Sequence, residues 1–457
     1  MKLTLSISKK ESELVHEQSL KILATMGLTV LSNAAVDVFK KAGAKIDGHQ
    51  VYIDARMVEE SLKTLPNHFS IYGNQHRVVI GKGDICTMPP YGGTYVSRND
   101  QIRLGTRDDY INFTKLNHAN EHINMSCPYS LEPFDVPLEH RDLFRMAMVL
   151  KYSDKPSLSL VGSRENAERS IEMIKRYRDI SDDYVALGNV NISAPLIMGD
   201  STSEAIMVHC EENQPLMIAC GSGLSGLTAP PTHGGNLLLA NAAILSGIVF
   251  SQILKPGLPV VYGLPLFGVD PYKAETLVGN SAAALFTLAA KGMSDYYNMP
   301  FRAGGTFTDA KHLDYQSGYE SCLNLLSCLL AEVDCLMHSF GMEDSLKTIN
   351  YNKYILDEWM YHGLKDYKKG FEINDVTLMM DEILRTGSTG NFISSTNLKL
   401  IRKEYSHHGF GEGKTMEETL KKTDAEIEKR LENYKLPHQS KNQKEIIRGY
   451  LPDEYID

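Results

Sequence analysis

The chain has 457 residues, 42% of them hydrophobic and 23% charged, with a formal net charge of −10. It is long enough for one large α/β barrel with additions or for two to three domains. The acidic balance and lack of a basic block argue against nucleic acid as a partner, and the charged run Lys9-Lys10-Glu11 after Ser6 argues against a secretory signal.

In chain order, Lys9 to about Met26 reads as a helix, with Leu14, Leu20, Ile22 and Leu23 apolar among charges and Gly27 as terminator. A second helix runs from Ser32-Asn33 to Lys41. Val51-Tyr52-Ile53 is a short strand. Asp54 caps a third helix, Ala55 to Leu65, which Pro66 stops. Residues 68–99 are strand and turn material, so residues 1–103 are expected to form an N-terminal α+β cap.

From 104 onward, helix patterns alternate with short apolar runs. The runs are His122–Tyr129, Ser157–Val161, Val185–Ile192, Leu216–Cys220, Val260–Leu264, Phe301–Gly304 and Cys335–Phe340. These βα repeats predict a (β/α)8 TIM barrel, α/β in class, over 104–345, with its eighth strand unplaced. A doubly wound sheet is the alternative. Residues 346–457 are expected to be a helical extension packed on the barrel, with helices near 370–385 and 416–433.

Between Glu212 and Asp270 the only Lys, Arg, Asp or Glu is Lys255. The helical part, 234–254, carries Asn236, Asn241, Ser246, Ser251 and Gln252, which dilute it below a good membrane span. Burial inside the protein or at a subunit contact is expected instead, and with it a homo-oligomer. The seven cysteines are scattered, without a CxxC pair, and read as reduced thiols of a cytoplasmic protein.

Gly221-Ser222-Gly223-Leu224-Ser225-Gly226 matches G-x-G-x-x-G, but Pro230-Pro231 interrupt where a helix should start, so a dinucleotide site is not expected. His118 and His122 lack the H-E-x-x-H order and read as surface histidines, as do His407-His408. Asp309, His312 and Asp314 show no recognisable ligand spacing, so no metal is expected.

A set of residues at strand ends remains: Tyr95, Tyr129, Glu132, Ser193, Ser222, Phe267, Arg302, Asp309, His338, Phe340 and Glu343. Parallel sheets place ligands at the carboxyl ends of their strands. The set describes a pocket with aromatic faces, one fixed cation and some carboxylates. Aromatic faces hold a quaternary ammonium by cation–π attraction, and arginine holds a carboxylate by paired hydrogen bonds. A betaine needs both.

His16-Glu17-Gln18-Ser19-Leu20-Lys21-Ile22-Leu23 with Gly27, Ala42-Gly43-Ala44 with Ile46-Asp47-Gly48, the turn Gly92-Gly93-Thr94-Tyr95-Val96, Gly304-Gly305 with Thr308-Asp309-Ala310-Lys311, and Gly318-Tyr319-Glu320 stand in an order and spacing that resembles the trimethylamine methyltransferase (MttB-like) family over essentially the whole chain. The resemblance implies a (β/α)8 barrel that passes a methyl group to the Co(I) centre of a separate corrinoid protein, within anaerobic one-carbon metabolism. Archaeal trimethylamine enzymes of the family carry pyrrolysine, whose equivalent position is expected within 309–320. This chain has only standard residues, and members without pyrrolysine resemble methyltransferases for quaternary amines such as glycine betaine.

The resemblance and the strand-end placement together imply a betaine:corrinoid methyltransferase, with glycine betaine favoured. Tyr95, Phe267, Phe301 and Phe340 are expected around the ammonium, with Arg302 on the carboxylate. His338, Asp309 and Glu343 are expected in catalysis, and Gly304, Gly305 and His338 facing the corrinoid. No tightly bound cofactor is expected, since a partner protein supplies the corrinoid. The competing readings are a non-catalytic betaine-binding protein and a TIM-barrel lyase or isomerase.

Overall fold

The computed structural model describes residues 6–220, 224–265, 267–273, 275–405 (403 by its backbone alone), 409–410, 413 and 415–456. Seven parallel strands form one sheet: β1 (Cys86–Thr87), β2 (Ser157–Leu158), β3 (Ala186–Ile192), β4 (Leu216–Cys220), β5 (Val260–Gly263), β6 (Phe301–Ala303) and β7 (Cys335–Leu336), in the order β1-β7-β6-β5-β4-β3-β2. The gap between β1 and β2 is spanned by residues 124–126. Asn124 N donates to Thr87 O at 2.8 Å, Leu158 N donates to Ser126 O at 3.0 Å, and Ser126 bridges Ser157 in parallel. The ring therefore closes with eight staves.

Eight helices alternate with the staves: α1 (Arg107–Ala119), α2 (Leu138–Tyr152), α3 (Arg164–Arg178), α4 (Asp200–Glu211), α5 (His233–Leu254), α6 (Ser281–Tyr297), α7 (Tyr315–Leu330) and α8 (Tyr351–Lys369). Their starts are coded locally. Thr106 with Asp109 forms a capping box on α1, and Asn280, Asp314 and Asn350 accept from the third helical N–H of α6, α7 and α8. Strands such as Leu216–Cys220 are buried on both faces, which is why they read as continuous apolar runs rather than alternating ones.

The stave that the sequence pattern does not place is β1. It lies inside the stretch assigned above to the N-terminal cap, and two residues are too few to show a period. The apolar run His122–Tyr129 contributes a single bridged residue, Ser126.

In-register neighbours in a parallel sheet point to the same face, and successive residues to opposite faces. Tyr262 pairs with Phe301, and its hydroxyl donates to Asn241 Oδ1 on α5 at 2.8 Å. Both rings therefore face the helix layer. Gly263 pairs with Arg302, Ala219 with Gly263, and Arg302 with Cys335, so this row faces the barrel interior. The lower interior is apolar, with Leu187, Met217 and Val261 packed on Phe69, Ile71 and Ile80 from the hairpin 69–80 that closes the bottom.

α5 is long and apolar enough to cross a membrane, but 78% of that window is buried within the fold, against the N-terminal helix Lys9–Thr25 and β4. Beyond the barrel, the expected helix at 370–385 is replaced. α8 runs to Lys369, Gly370 leaves it at φ +65, and a short helix occupies Met380–Thr386. The apolar residues of 371–384 mimic a helical stripe without a core of this chain to bury it. A helix at Met416–Glu432 packs on α8 and α1.

Candidate functional site

Arg302 sets the floor of the barrel mouth. Its side chain is only 4% exposed, and its row neighbours Gly263 and Ala219 have no bulk to fill the space beside it. Among the described residues its guanidinium makes one hydrogen bond, Nε to Sδ of Met337 at 3.0 Å. Burial pulls its pKa down to about 10, and the groups acting on it are Cys335, Tyr91 and Cys328, none of them a carboxylate. A buried cation without a counter-ion is costly, and a ligand carboxylate would remove that cost by paired hydrogen bonds.

Around this cation runs an arc of rings drawn from the ends of five staves. Tyr129 and Tyr91 lie 5.2 Å apart by ring centroids, Tyr91 and His338 6.4 Å, His338 and Phe307 5.2 Å, and Phe307 and Phe267 5.4 Å. The Arg145 guanidinium sits 4.7 Å over Tyr129 and is held by Glu132 and Asp142. One face of Tyr129 is thus taken. Burial pushes the Tyr91 phenol well up and the Tyr129 phenol up to about 12, so both stay neutral. Asn189 also points inward, in register with Met217, and its Oδ1 is buried without a partner.

His338 ends β7 by turning into the left-handed region, φ +52, which swings its ring against Tyr91 and Phe307. Tyr91 N donates to its Nδ1 at 3.3 Å, fixing the ring proton on Nε2. Burial, then the nearby Arg302 charge, drops its pKa to about 3. It is a neutral aromatic wall with one N–H donor.

Two glycines make this arrangement possible. A Cβ on Gly304 would lie 1.7 Å from the Phe307 ring, and one on Gly305 would lie 2.5 Å from the His338 carbonyl oxygen. The 306–341 turns are anchored from behind by a buried pair on α8. Asp357 Oδ2 accepts from Lys353 Nζ, Thr306 Oγ1 and Gly341 N, each at 2.7 Å.

The structure brings Arg302, His338, Phe267, Gly304 and Gly305 of the expected set to the mouth, together with Tyr129, which is backed by Arg145 on Glu132. It does not bring the others. Phe301 faces the helix layer with Tyr262, and Phe340 packs edge-on against Tyr354 and Tyr361 of α8. Tyr95, 37% exposed, opens a strand of a separate four-stranded sheet. Glu343 is buried in that sheet, bonded by Asn350 Nδ2 at 3.1 and 3.0 Å. Asp309 ties loops together, accepting from Val278 N and Gly279 N at 2.9 Å and from Ser345 Oγ at 2.8 Å. The glycines give room to Phe307 and to the end of β7 rather than to an open face. Ser193 follows β3 and bridges Ile197. Ser222, with the rest of Gly221–Gly223 and with His407-His408, lies outside the described residues.

Tyr91, Asn189 and Phe307 were missed as site residues. Tyr91 follows Pro89-Pro90 after a two-residue strand, and Asn189 sits in a run that reads as ordinary core. Phe307 carried the one available signal, an aromatic residue directly after paired glycines at a strand end.

Among the described residues, one group has the closeness a metal needs: His122, Glu358 and His362. It lies toward the opposite end of the barrel, before the 124–126 stave. Glu358 is already paired with Arg430 at 2.6 Å. His122 Nε2 is 2.9 Å from His362 Nε2, and burial and His362 pull the His122 pKa down to about 4. His118 pairs with Asp154 at 3.3 Å. Both histidines are thus partly buried and partnered, unlike the surface residues expected.

The trimethylamine methyltransferase (MTTB) family model matches residues 2–433. The chain is similar to the proline betaine:corrinoid methyltransferase of Eubacterium limosum, with 30% identity covering 98% of this chain and 97% of that one. It is similar to the glycine betaine methyltransferase of Desulfitobacterium hafniense (strain Y51), with 30% identity over 87% and 84%, and to the L-carnitine:corrinoid methyltransferase of Eubacterium limosum, with 28% over 98% and 97%. The crystal structure of the Methanosarcina barkeri monomethylamine methyltransferase (MtmB) aligns with 98% of this chain and 92% of that one at 11% identity, TM-score 0.48.

Proposed function

The chain belongs to the trimethylamine methyltransferase family, and on that premise we propose that it moves one methyl group from a carboxylated quaternary amine, a betaine, to the corrinoid of a partner protein. The observation that carries the choice of substrate is the buried Arg302 without a carboxylate partner, set beside the arc Tyr91, His338, Phe307 and Phe267. The arc takes the ammonium and Arg302 takes the carboxylate.

The chemistry fits a site without a proton donor. A quaternary ammonium is already charged, so the C–N bond breaks with its electron pair staying on nitrogen and a neutral tertiary amine leaves. The partner's Co(I) corrinoid is a substrate here, supplying the nucleophile. The chain's share is to align the C–N bond and exclude water. His338, neutral at every working pH, walls the substrate and offers Nε2–H; it is not an acid or base. Asp309 and Glu343 position loops and sheet. None of the seven cysteines is in a disulfide, which suits a cytoplasmic setting.

A cob(I)alamin methylation assay tests this over glycine betaine, proline betaine, carnitine, tetramethylammonium and trimethylamine. Carboxylated quaternary amines should react and trimethylamine should not. Equal rates with tetramethylammonium would remove the carboxylate from the reading, and reaction with trimethylamine alone would overturn it.

A further inference from the structure

We propose that residues 370–405 are an arm through which two copies of this chain pair about a two-fold axis. The arm leaves α8 at Gly370 and returns through Phe410, whose ring meets Trp359 at 5.8 Å. Between Gly370 and Tyr405 it buries almost nothing of itself. The helix Met380–Thr386 has no buried residue, and in Ser395–Glu404 Asn397 alone is buried among the described residues. Among the described residues, more than two-fifths of the exposed large hydrophobic side chains fall in this stretch, less than a tenth of the chain's length. Phe371 is 83% exposed, Val376 83% and Ile393 80%.

Two helices this short have no stability of their own in water; their order requires an apolar surface to bury against. Taking roughly 150–200 Å² for a large exposed side chain, the arm offers on the order of 1,000 Å² of apolar surface. Each partner of a stable interface buries about 800 Å², and the largest patch on a monomer is typically about 300–600 Å².

The charges name the occupant. Acidic residues, Glu372, Asp375, Asp381 and Glu382, outnumber the single Arg385 in the first half, and basic residues, Lys399, Arg402 and Lys403, fill the second up to Glu404. Glu382 is used internally, 3.8 Å from Arg385 and bonded by Asn397 at 2.5 Å. Glu372, Asp375 and Asp381 are exposed, as are Lys399 and Arg402. Two identical arms laid antiparallel set the acidic half of each against the basic half of the other, which is the self-complementarity a two-fold contact demands. A different partner protein would give no reason for that segregation.

Light scattering coupled to gel filtration, on the full chain at micromolar concentration, reads the result. The wild type should weigh twice 51.0 kDa or a higher even multiple. Phe371→Asp with Ile393→Asp, both at exposed positions, should give the single-chain mass with unchanged circular dichroism. Lys399→Glu with Arg402→Glu should weaken pairing at least tenfold, and adding Asp375→Lys and Asp381→Lys should restore it. A single-chain wild type, an apolar variant that keeps the wild-type mass, or four charge reversals no better than two would each overturn the arm. Should the apolar variant fail to fold, the charge-reversal pair decides alone.

Discussion

Gly304 and Phe307 are so close that a Cβ on the glycine would sit 1.7 Å from the ring. The atom it meets is the far end of a side chain that can swing away. For Gly305 the obstacles are backbone oxygens, His338 O at 2.5 Å and Met337 O at 2.8 Å, which move only with β7. Gly304→Ala should therefore fold, displace Phe307 from the arc and raise KM several-fold. Gly305→Ala should lose on the order of 2–3 kcal/mol of stability, the usual cost of overpacking. Chemical denaturation alongside KM measurements separates the two, and a reversed ranking would contradict the placement of Phe307.

Arg302→Ala removes the buried cation at the mouth that no carboxylate among the described residues pairs, unlike Arg145. Truncating one member of a buried hydrogen-bonded charge pair costs about 2–5 kcal/mol, so KM for a betaine should rise at least roughly thirty-fold. Lys at this position restores charge but not the planar fork, and should recover only part of the loss. Tetramethylammonium should be equally poor with all three proteins. A betaine KM unchanged in Arg302→Ala would take Arg302 out of the site.

Tyr91 offers its ring, not its acidity: burial holds the phenol far above its ordinary range. Tyr91→Phe should keep betaine affinity nearly intact, while Tyr91→Leu should lose about 1–2 kcal/mol, the scale of a desolvated cation–π contact. His338, with its pKa about 3, should place no inflection near pH 6.5 in kcat/KM. Calorimetric titration and a pH–rate profile between 5 and 9 check both. A Tyr91→Phe variant as weak as Tyr91→Leu would shift the role from ring to hydroxyl.

The barrel was legible because most of its strands are buried on both faces and leave uninterrupted apolar runs such as Leu216–Cys220. β1 was not, since Cys86–Thr87 is too short for any period and comes after a hairpin that looks like more of the cap. At the site, Arg302 was legible as an isolated cation at a strand end. Phe301 was misplaced by one position: alternation puts neighbouring residues on opposite faces, and only the Tyr262 register fixes which face is inside. Phe340 failed for a related reason. His338 takes φ +52, so the chain leaves β7 there and strand alternation no longer orients Ser339 and Phe340. Such turns depend on tertiary anchors, here Asp357 on Gly341, that no local pattern carries.

Glu343 gives a pH signature in stability. Burial raises its pKa to about 7 from an ordinary 4.5, against the lowering pull of Asn350, Lys353 and Ser97, with Asp357 adding a smaller upward push. The folded state therefore prefers the protonated acid. Its contribution is fully present below the unfolded pKa, near 4.3, and is lost as pH rises through about 7. A shift of this size corresponds to about 3 kcal/mol between those limits. Glu343→Gln keeps an acceptor for Asn350 and has no proton to lose. Relative to wild type it should gain stability from pH 5 to pH 8, by up to that amount, with little difference at the acidic end. Urea unfolding of both proteins at pH 5, 6.5 and 8 measures it. A constant offset across the three would mean that Glu343 does not titrate in this range, and that its carboxylate is charged within the sheet.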